Sequence, residues 1–163
     1  MTREMLDPML LGAERLHITD AAAAIIRVEN AGYLMQLRDS RPDIWYPGRW
    51  SLFGGGIEPG ENPLDALHRE LREELELEFD TAEFFARIDF DIAGAGLPRF
   101  YRSFYAISIS REAEARLVVH EGAGKRVFPG RDILLEPNVT PYDAFALFLY
   151  DQQGRLGGTE PGR

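Results

Sequence analysis

Hydrophobic and polar positions change their period several times along this chain, and each change marks an element. Residues 19–28, TDAAAAIIRV, form a nearly unbroken apolar run of strand length, which predicts a buried strand. Asn30-Ala31-Gly32 is a turn signal, and Tyr33 to Arg38 reads as a second strand, so the pair predicts a hairpin. Residues 39–49 are a loop rich in Pro, Asp and Arg, and Trp50 to Phe53 form a short strand running into three glycines. Further on, strands are expected at Ala82 to Ile92 and at Arg99 to Ile109, separated by a glycine-containing turn at Gly94 to Pro98. Arg116 to Val119 and Arg126 to Phe128 are short strand candidates. Pro141 to Tyr150 is a last helix with Ala144, Leu147 and Phe148 expected on one face.

Between the third and fourth strands the period becomes helical. Asn62 is a good N-cap, Pro63 suits the first helical position, and Asp65 places negative charge in the first turn. No Gly, Pro or β-branched residue follows until past Leu77. At about 100° per residue, Leu64, Leu67 and Leu75 fall within about 40° of Leu71 and make a buried stripe. Glu70, Glu73 and Glu74 occupy a sector roughly 60° to 160° to one side of it. The plain reading of such a face is solvated charge, with Arg69–Glu73 and Arg72–Glu76 ion pairs. The glycines just upstream change the picture. Magnesium takes oxygen ligands and is commonly held by carboxylates together with substrate phosphates, and a glycine loop lets backbone approach closely.

Composition narrows the classes. A chain of 163 residues fits one domain with a sizeable core, expected over residues 1–151 and followed by a glycine-rich tail, residues 152–163, expected to be disordered. The absence of cysteine excludes disulfides, thiolate metal sites and a cysteine nucleophile. No apolar run approaches membrane-helix length, and Met1 to Leu11 lacks a signal-peptide core, so a cytoplasmic location is expected. A formal net charge of −9 disfavours long nucleic acids, whose binding rests on Lys and Arg. It leaves open a nucleotide whose phosphates arrive with a metal ion. His17 and His68 have no partners in sequence and read as structural or surface residues. Strands on both sides of one central helix, with a second helix at the end, predict an α/β chain with a mixed sheet between helices.

The segment GGIEPGENPLDALHRELREELEL, from Gly55 to Leu77, resembles the Nudix box of the MutT-like hydrolases. That box reads Gly, five residues, Glu, seven residues, then Arg-Glu-hydrophobic-x-Glu-Glu-x-Gly-hydrophobic. Gly55, Glu61, Arg69, Glu70, Leu71, Glu73, Glu74 and Leu77 match it, while Glu76 replaces the usual glycine. The approach through Leu37-Arg38-Asp39 and Pro47 to Gly55 also looks like the family's. So many fixed positions make the signal far more specific than a lone glycine pattern.

The resemblance implies a Nudix fold, an α/β/α sandwich with a central mixed β-sheet. It implies that Glu70, Glu73, Glu74 and the Gly54 carbonyl hold Mg²⁺ or Mn²⁺. Gly55, Glu61 and Arg69 would support them, with Glu61 and Arg69 pairing to hold the loop to the helix. Some members carry a glutamate in a downstream loop as ligand or general base, and Glu121 in His120-Glu121-Gly122 is the candidate here. His120 reads rather as solvent-facing. Either Glu73 or Glu121 would take the proton of the attacking water. Glycine at position 76 would allow a left-handed helix end, so glutamate there predicts a helix that continues or closes differently.

The reaction implied is metal-dependent attack of water on a diphosphate. The substrate would be a nucleoside triphosphate or a related nucleotide pyrophosphate. Nucleotide sugars and dinucleotides are the alternatives, as is a non-catalytic nucleotide-binding module on the same scaffold. Arg38, Arg49, Arg99 and Lys125 are candidates for phosphate contacts. Tyr46, Trp50, Phe100 and Tyr105 are candidates for base stacking, and Asn138 for a hydrogen bond to the base. A small nucleotide is the expected partner, and homodimers are common in the family.

Overall fold

The computed structural model describes residues 18–156. The Met1 to Leu11 segment, His17 and the end of the tail lie outside the described residues. Gln152 caps the last long helix and Gln153–Leu156 form a short helical turn.

The elements are β1 (Ala21–Val28), β2 (Gly32–Leu37), β3 (Trp50–Ser51), β4 (Phe53–Gly56), α1 (Pro63–Leu75), β5 (Glu83–Phe90), β6 (Phe100–Ile109), α2 (Arg111–Arg116), β7 (Gly124–Pro129), α3 (Asp132–Leu135), α4 (Pro141–Asp151) and α5 (Gln153–Leu156). The seven strands form one mixed sheet in which β1 and β6 run parallel and every other pair is antiparallel. The expected hairpin exists, but only Ile26–Val28 of β1 pair with β2. The two strands then diverge like a fork, and the segment 50–56 fills it. Trp50 and Ser51 pair with β2, while Phe53–Gly56 pair with Ala21–Ala24 of β1. This wedge carries the glycines to the point where the sheet opens.

β1 is buried on both faces, as a nearly continuous apolar run should be. Ala22, Ala24 and Ile26 face Leu67, Leu71 and Leu75 of α1. Ala23 and Ile25 face Ala146, Leu147 and Tyr150 of α4. The small alanines let helices pack closely on either side, which gives the α/β/α layering. The leucine stripe of α1 is therefore the anchor that the helical period predicted, and Asn62 caps the helix by accepting from Leu64 N and Asp65 N, both at 3.0 Å.

Several expectations are corrected. Residues 116–119 are not a strand; Arg111–Arg116 form α2, capped by Ser110 Oγ accepting from Ala113 N at 3.1 Å. On α4 the buried residues are Tyr142, Asp143, Ala146, Leu147 and Tyr150, whereas Phe148 is exposed. Arg72 pairs with Glu78 at 3.3 Å rather than with Glu76.

The end of α1 also differs from expectation. Glu76 takes the left-handed conformation, φ 54° and ψ 29°, that glycine serves in the family pattern. Its N–H donates to Arg72 O at 3.0 Å, and Leu77 N–H donates to Leu71 O at 3.1 Å, so the helix closes with a left-handed αL cap despite the side chain. The freed carboxylate meets His120 Nε2 at 2.6 Å on the surface. A left-handed non-glycine residue costs about 1 kcal/mol, and an exposed polar contact of this kind returns at most about that. Glu76→Gly is thus expected to stabilise the protein by about 0.5–1 kcal/mol in urea unfolding. A loss of stability would show that the His120 contact outweighs the backbone strain.

Candidate active site

The wheel position of each acid on α1 sets its burial. Glu74, nearest the leucine stripe, is 5% exposed; Glu70 is half-buried; Glu73, farthest round, has a side chain 63% exposed. Glu74 Oε2 accepts from Gly54 N at 3.0 Å, and its Oε1 lies 3.4 Å from Gln36 Nε2. Burial is the main reason that the Glu74 carboxyl is pushed up to about 8, and the neighbouring Glu70 and Glu121 carboxylates add to it. Glu70 is also raised, again chiefly by burial, with Arg69 opposing and Glu73 and Glu121 reinforcing the shift.

Arg69 ties the glycine loop to the helix. It donates from Nε to Glu61 Oε1 at 3.1 Å, and from Nη2 to Glu61 Oε2 and to Gly56 O, both at 2.9 Å. Its Nη1 donates to Glu70 Oε1 at 2.7 Å and lies 3.7 Å from Glu73. Its guanidinium is held firmly charged, the Glu61 bonds being the main cause. A Cβ at Gly55 would stand 2.4 Å from the Glu70 carboxyl carbon, so a side chain there would displace that carboxylate.

Glu121 is held beside these acids through backbone. Gln36 Nε2 donates to Glu121 O at 3.1 Å, His120 N–H to Glu74 O at 2.9 Å, and Ala123 N–H to Leu37 O at 2.7 Å. Gln36 is nearly buried, so one amide links β2, the α1 acids and the Glu121 loop.

These groups line one end of a cleft of about 420 Å³. Glu70, Glu74, Glu121 and Gly54–Gly56 stand there, and Arg38, Trp45, Phe100, Arg102 and Tyr142 stand elsewhere along its wall. Arg38 Nε donates to Trp45 O at 2.8 Å, so it braces the 39–49 loop as well as facing the cleft. Of the other substrate candidates, Arg49, Arg99 and Asn138 do not line it. Arg49 lies over the Tyr46 ring, Arg99 pairs with Asp91 at 2.8 Å, and Asn138 donates to Gly48 O at 3.1 Å. Lys125 is engaged by Glu114. Among the aromatic candidates Phe100 lines the cleft; Trp50 packs edge-on against Phe128 and Tyr105 against Phe84. Gln36, Trp45, Arg102 and Tyr142 are cleft residues that the sequence did not single out. Their signal was a polar residue inside an apolar strand for Gln36, and inside an aromatic one for Arg102.

Among the described residues no three acidic or histidine groups stand in ready-made coordination geometry. Glu70 is turned to Arg69, Glu74 to Gly54, and Glu73 outward. The donor set still suits a hard divalent cation, being entirely carboxylate and backbone oxygen. A buried carboxyl raised to about 8 by burial and by two further acids marks a place where positive charge would be stabilised.

The fold has counterparts among solved structures. A MutT protein from Methanosarcina mazei Go1 superposes with a TM-score of 0.69 at 17% identity, covering 84% of this chain and 95% of that one. The Escherichia coli ORF135 protein superposes with a TM-score of 0.67 at 22% identity, covering 90% and 98%. In sequence, the nucleoside triphosphatase NudI of Escherichia fergusonii is 49% identical over 51 residues, 31% of this chain. The matched stretch spans only 35% of that relative's length. The NUDIX domain family model matches residues 18–141, from just before β1 to the start of α4. With the box residues standing around one cleft and the family match covering most of its length, the chain belongs to the NUDIX domain family.

Proposed function

We propose that this protein hydrolyses a nucleotide pyrophosphate, with a nucleoside triphosphate as the leading substrate class, in a reaction that depends on Mg²⁺ or Mn²⁺. The observation that carries this reading is Glu74, a buried carboxyl raised to about 8 beside Glu70, Glu121 and the glycine wedge. The partial likeness to a nucleoside triphosphatase supports the same reading.

Glu70, Glu74 and the Gly54 carbonyl would hold the ion, with Glu73 able to turn in from the exposed side. Bound there, the ion would supply positive charge to the diphosphate oxygens. Arg69 fixes the loop that carries Gly54–Gly56, so the glycine backbone stays close to the acids. Glu121 is the preferred general base. Its carboxylate lines the cleft, whereas Glu73 faces solvent and Arg69. It would take one proton from water as the water oxygen attacks phosphorus and the bridging P–O bond breaks, releasing two phosphate-bearing products.

The test is release of phosphate or pyrophosphate from a panel of nucleoside triphosphates, nucleotide sugars and dinucleotides with Mg²⁺ and with EDTA. Turnover of at least one triphosphate, abolished by EDTA, is expected. Tight binding without turnover of any compound would instead favour a nucleotide-binding module. Glu121→Gln is expected to lower kcat by about 10²–10⁴-fold with little change in melting temperature. A larger loss in Glu73→Gln than in Glu121→Gln would move the base assignment to Glu73.

A further inference from the structure

The wall of the cleft away from the acids is built for something other than phosphate. Arg102 lies on β6 in register with Ala21 of β1, which is itself in register with Gly56 of β4. Arg102 is therefore two strands, roughly 10 Å, from the glycine wedge. It belongs to the α4 face of the sheet, with Phe104 and Ala106, whereas the acids belong to α1. The cleft joins the two sides at the open end of the sheet.

Arg102 is only 14% exposed, and its guanidinium carbon sits 4.5 Å from the Tyr142 ring centroid. Its Nη2 faces the fully buried Asp143 Oδ1 at 3.6 Å, and its Nε has no hydrogen-bond partner among the described residues. Asp143 thus compensates the charge of Arg102; Nε is itself buried, so the N–H groups left to face the cleft are those of the terminal nitrogens. A charge-compensated arginine suits a neutral acceptor, such as a ring carbonyl, better than another anion. Around it are flat faces. Trp45 and Phe100 pack edge-to-face at 5.8 Å, and both line the cleft with Tyr142. Trp45 is delivered by the 39–49 loop, which is closed by Gly48 N–H donating to Asp39 O at 3.0 Å and by Arg38 on Trp45 O. Tyr46, next to Trp45, holds a left-handed φ of 49°.

We propose that Trp45, Tyr142 and Arg102 form the subsite for the nucleobase, and that Arg102 selects bases carrying a ring carbonyl over adenine. This rests on the reading of the cleft as a nucleotide pyrophosphatase site. Guanine, uracil and thymine each offer a carbonyl oxygen to the arginine N–H groups. Adenine offers an amino group at the corresponding edge, which would set donor against donor. A site built to bond one polar group rejects an analogue lacking it much more strongly than an apolar pocket can.

The experiment has two readouts, so that failure of the proposal is distinct from failure of the underlying reading. Affinities of GMP, UMP and AMP are measured by calorimetry without turnover, and kcat/KM is measured for GTP, UTP and ATP with Mg²⁺. The wild type is expected to favour GMP or UMP over AMP by at least about 10-fold, with the same order in kcat/KM. Arg102→Lys, which keeps the charge beside Asp143 but loses the planar fork, is expected to bring that ratio close to unity. Trp45→Leu is expected to weaken all three monophosphates alike. Equal wild-type affinity for the three, or an Arg102→Lys ratio unchanged with the fold intact, would overturn the proposal. Base-selective binding without hydrolysis of any triphosphate would leave the subsite standing and remove the enzymatic reading.

Discussion

Glu74→Gln is expected to make the metal-free protein more stable at pH 8 and, with Mg²⁺ present, nearly inactive. The carboxyl is raised to about 8 in the folded state, first by burial and then by Glu70 and Glu121. A carboxyl whose folded pKa lies above its unfolded value favours folding while it is protonated. Its contribution is complete below the ordinary carboxylate range, about pH 4.5, and is lost as pH rises through about 8. Metal-free wild type should therefore lose stability across that window, and the variant, which cannot ionise there, should lose less. Glutamine keeps an acceptor for Gly54 N–H, so the hydrogen bond at 3.0 Å need not be sacrificed. The gain at pH 8 is on the order of 2–4 kcal/mol, since each pKa unit corresponds to about 1.4 kcal/mol. Activity should fall by at least about 100-fold, because the most buried candidate ligand is gone. Saturating Mg²⁺ should raise the melting temperature of wild type at pH 8 much more than that of the variant. Melting curves from pH 5 to 9, with EDTA and with Mg²⁺, read all of this. A variant less stable than wild type at pH 8 in EDTA would show that Glu74 is a structural acid.

Asp143→Ala is expected to be the most damaging single substitution for the fold, costing about 3–5 kcal/mol. Asp143 is fully buried near the start of α4. Its Oδ2 accepts from Thr140 Oγ1 at 2.7 Å and from Leu52 N at 3.1 Å, and Oδ1 faces Arg102. Leu52 is the residue at which the chain leaves β3 and enters β4, so its N–H is not used in a strand ladder. Alanine would strand that N–H and the Thr140 hydroxyl, both buried, and remove the partner of the partly buried Arg102 guanidinium. Asp143→Asn keeps the shape and one acceptor and should cost clearly less. Urea unfolding of both variants separates lost charge from lost hydrogen bonds. Equal and small losses would mean that solvent reaches these groups once the carboxylate is removed.

The parts of the molecule that were legible in sequence are those governed by local period. β1 was visible because burial on both faces removes alternation from a strand, and α1 because its leucines and its cap obey helical spacing. The order of burial among Glu74, Glu70 and Glu73 follows from their angles to the leucine stripe. The box spacing pointed to the Arg69–Glu61 contact, which no period could have done.

What was not legible depends on distant segments meeting. Nothing local shows that β1 lies parallel to β6, or that the β1–β2 fork is filled by residues 50–56. That wedge is why Arg102 and Gly56 are in one row across β1. Arg49 and Arg99 were candidates for phosphate contacts and Asn138 for a hydrogen bond to the base, but each is engaged elsewhere. The helix end at Glu76 was misread for a physical reason. Propensity disfavours a left-handed glutamate by only about 1 kcal/mol, which tertiary packing of the following Leu77 can override.

The most direct measurement is hydrolysis of a nucleoside triphosphate in ¹⁸O-labelled water, followed by phosphorus NMR, with Mg²⁺ and with EDTA. The expected result is one labelled oxygen on a single phosphorus of the products, with no product in EDTA and almost none in Glu74→Gln. Undiminished hydrolysis in EDTA, or hydrolysis by Glu74→Gln at the wild-type rate, would contradict metal-assisted attack of water in this cleft.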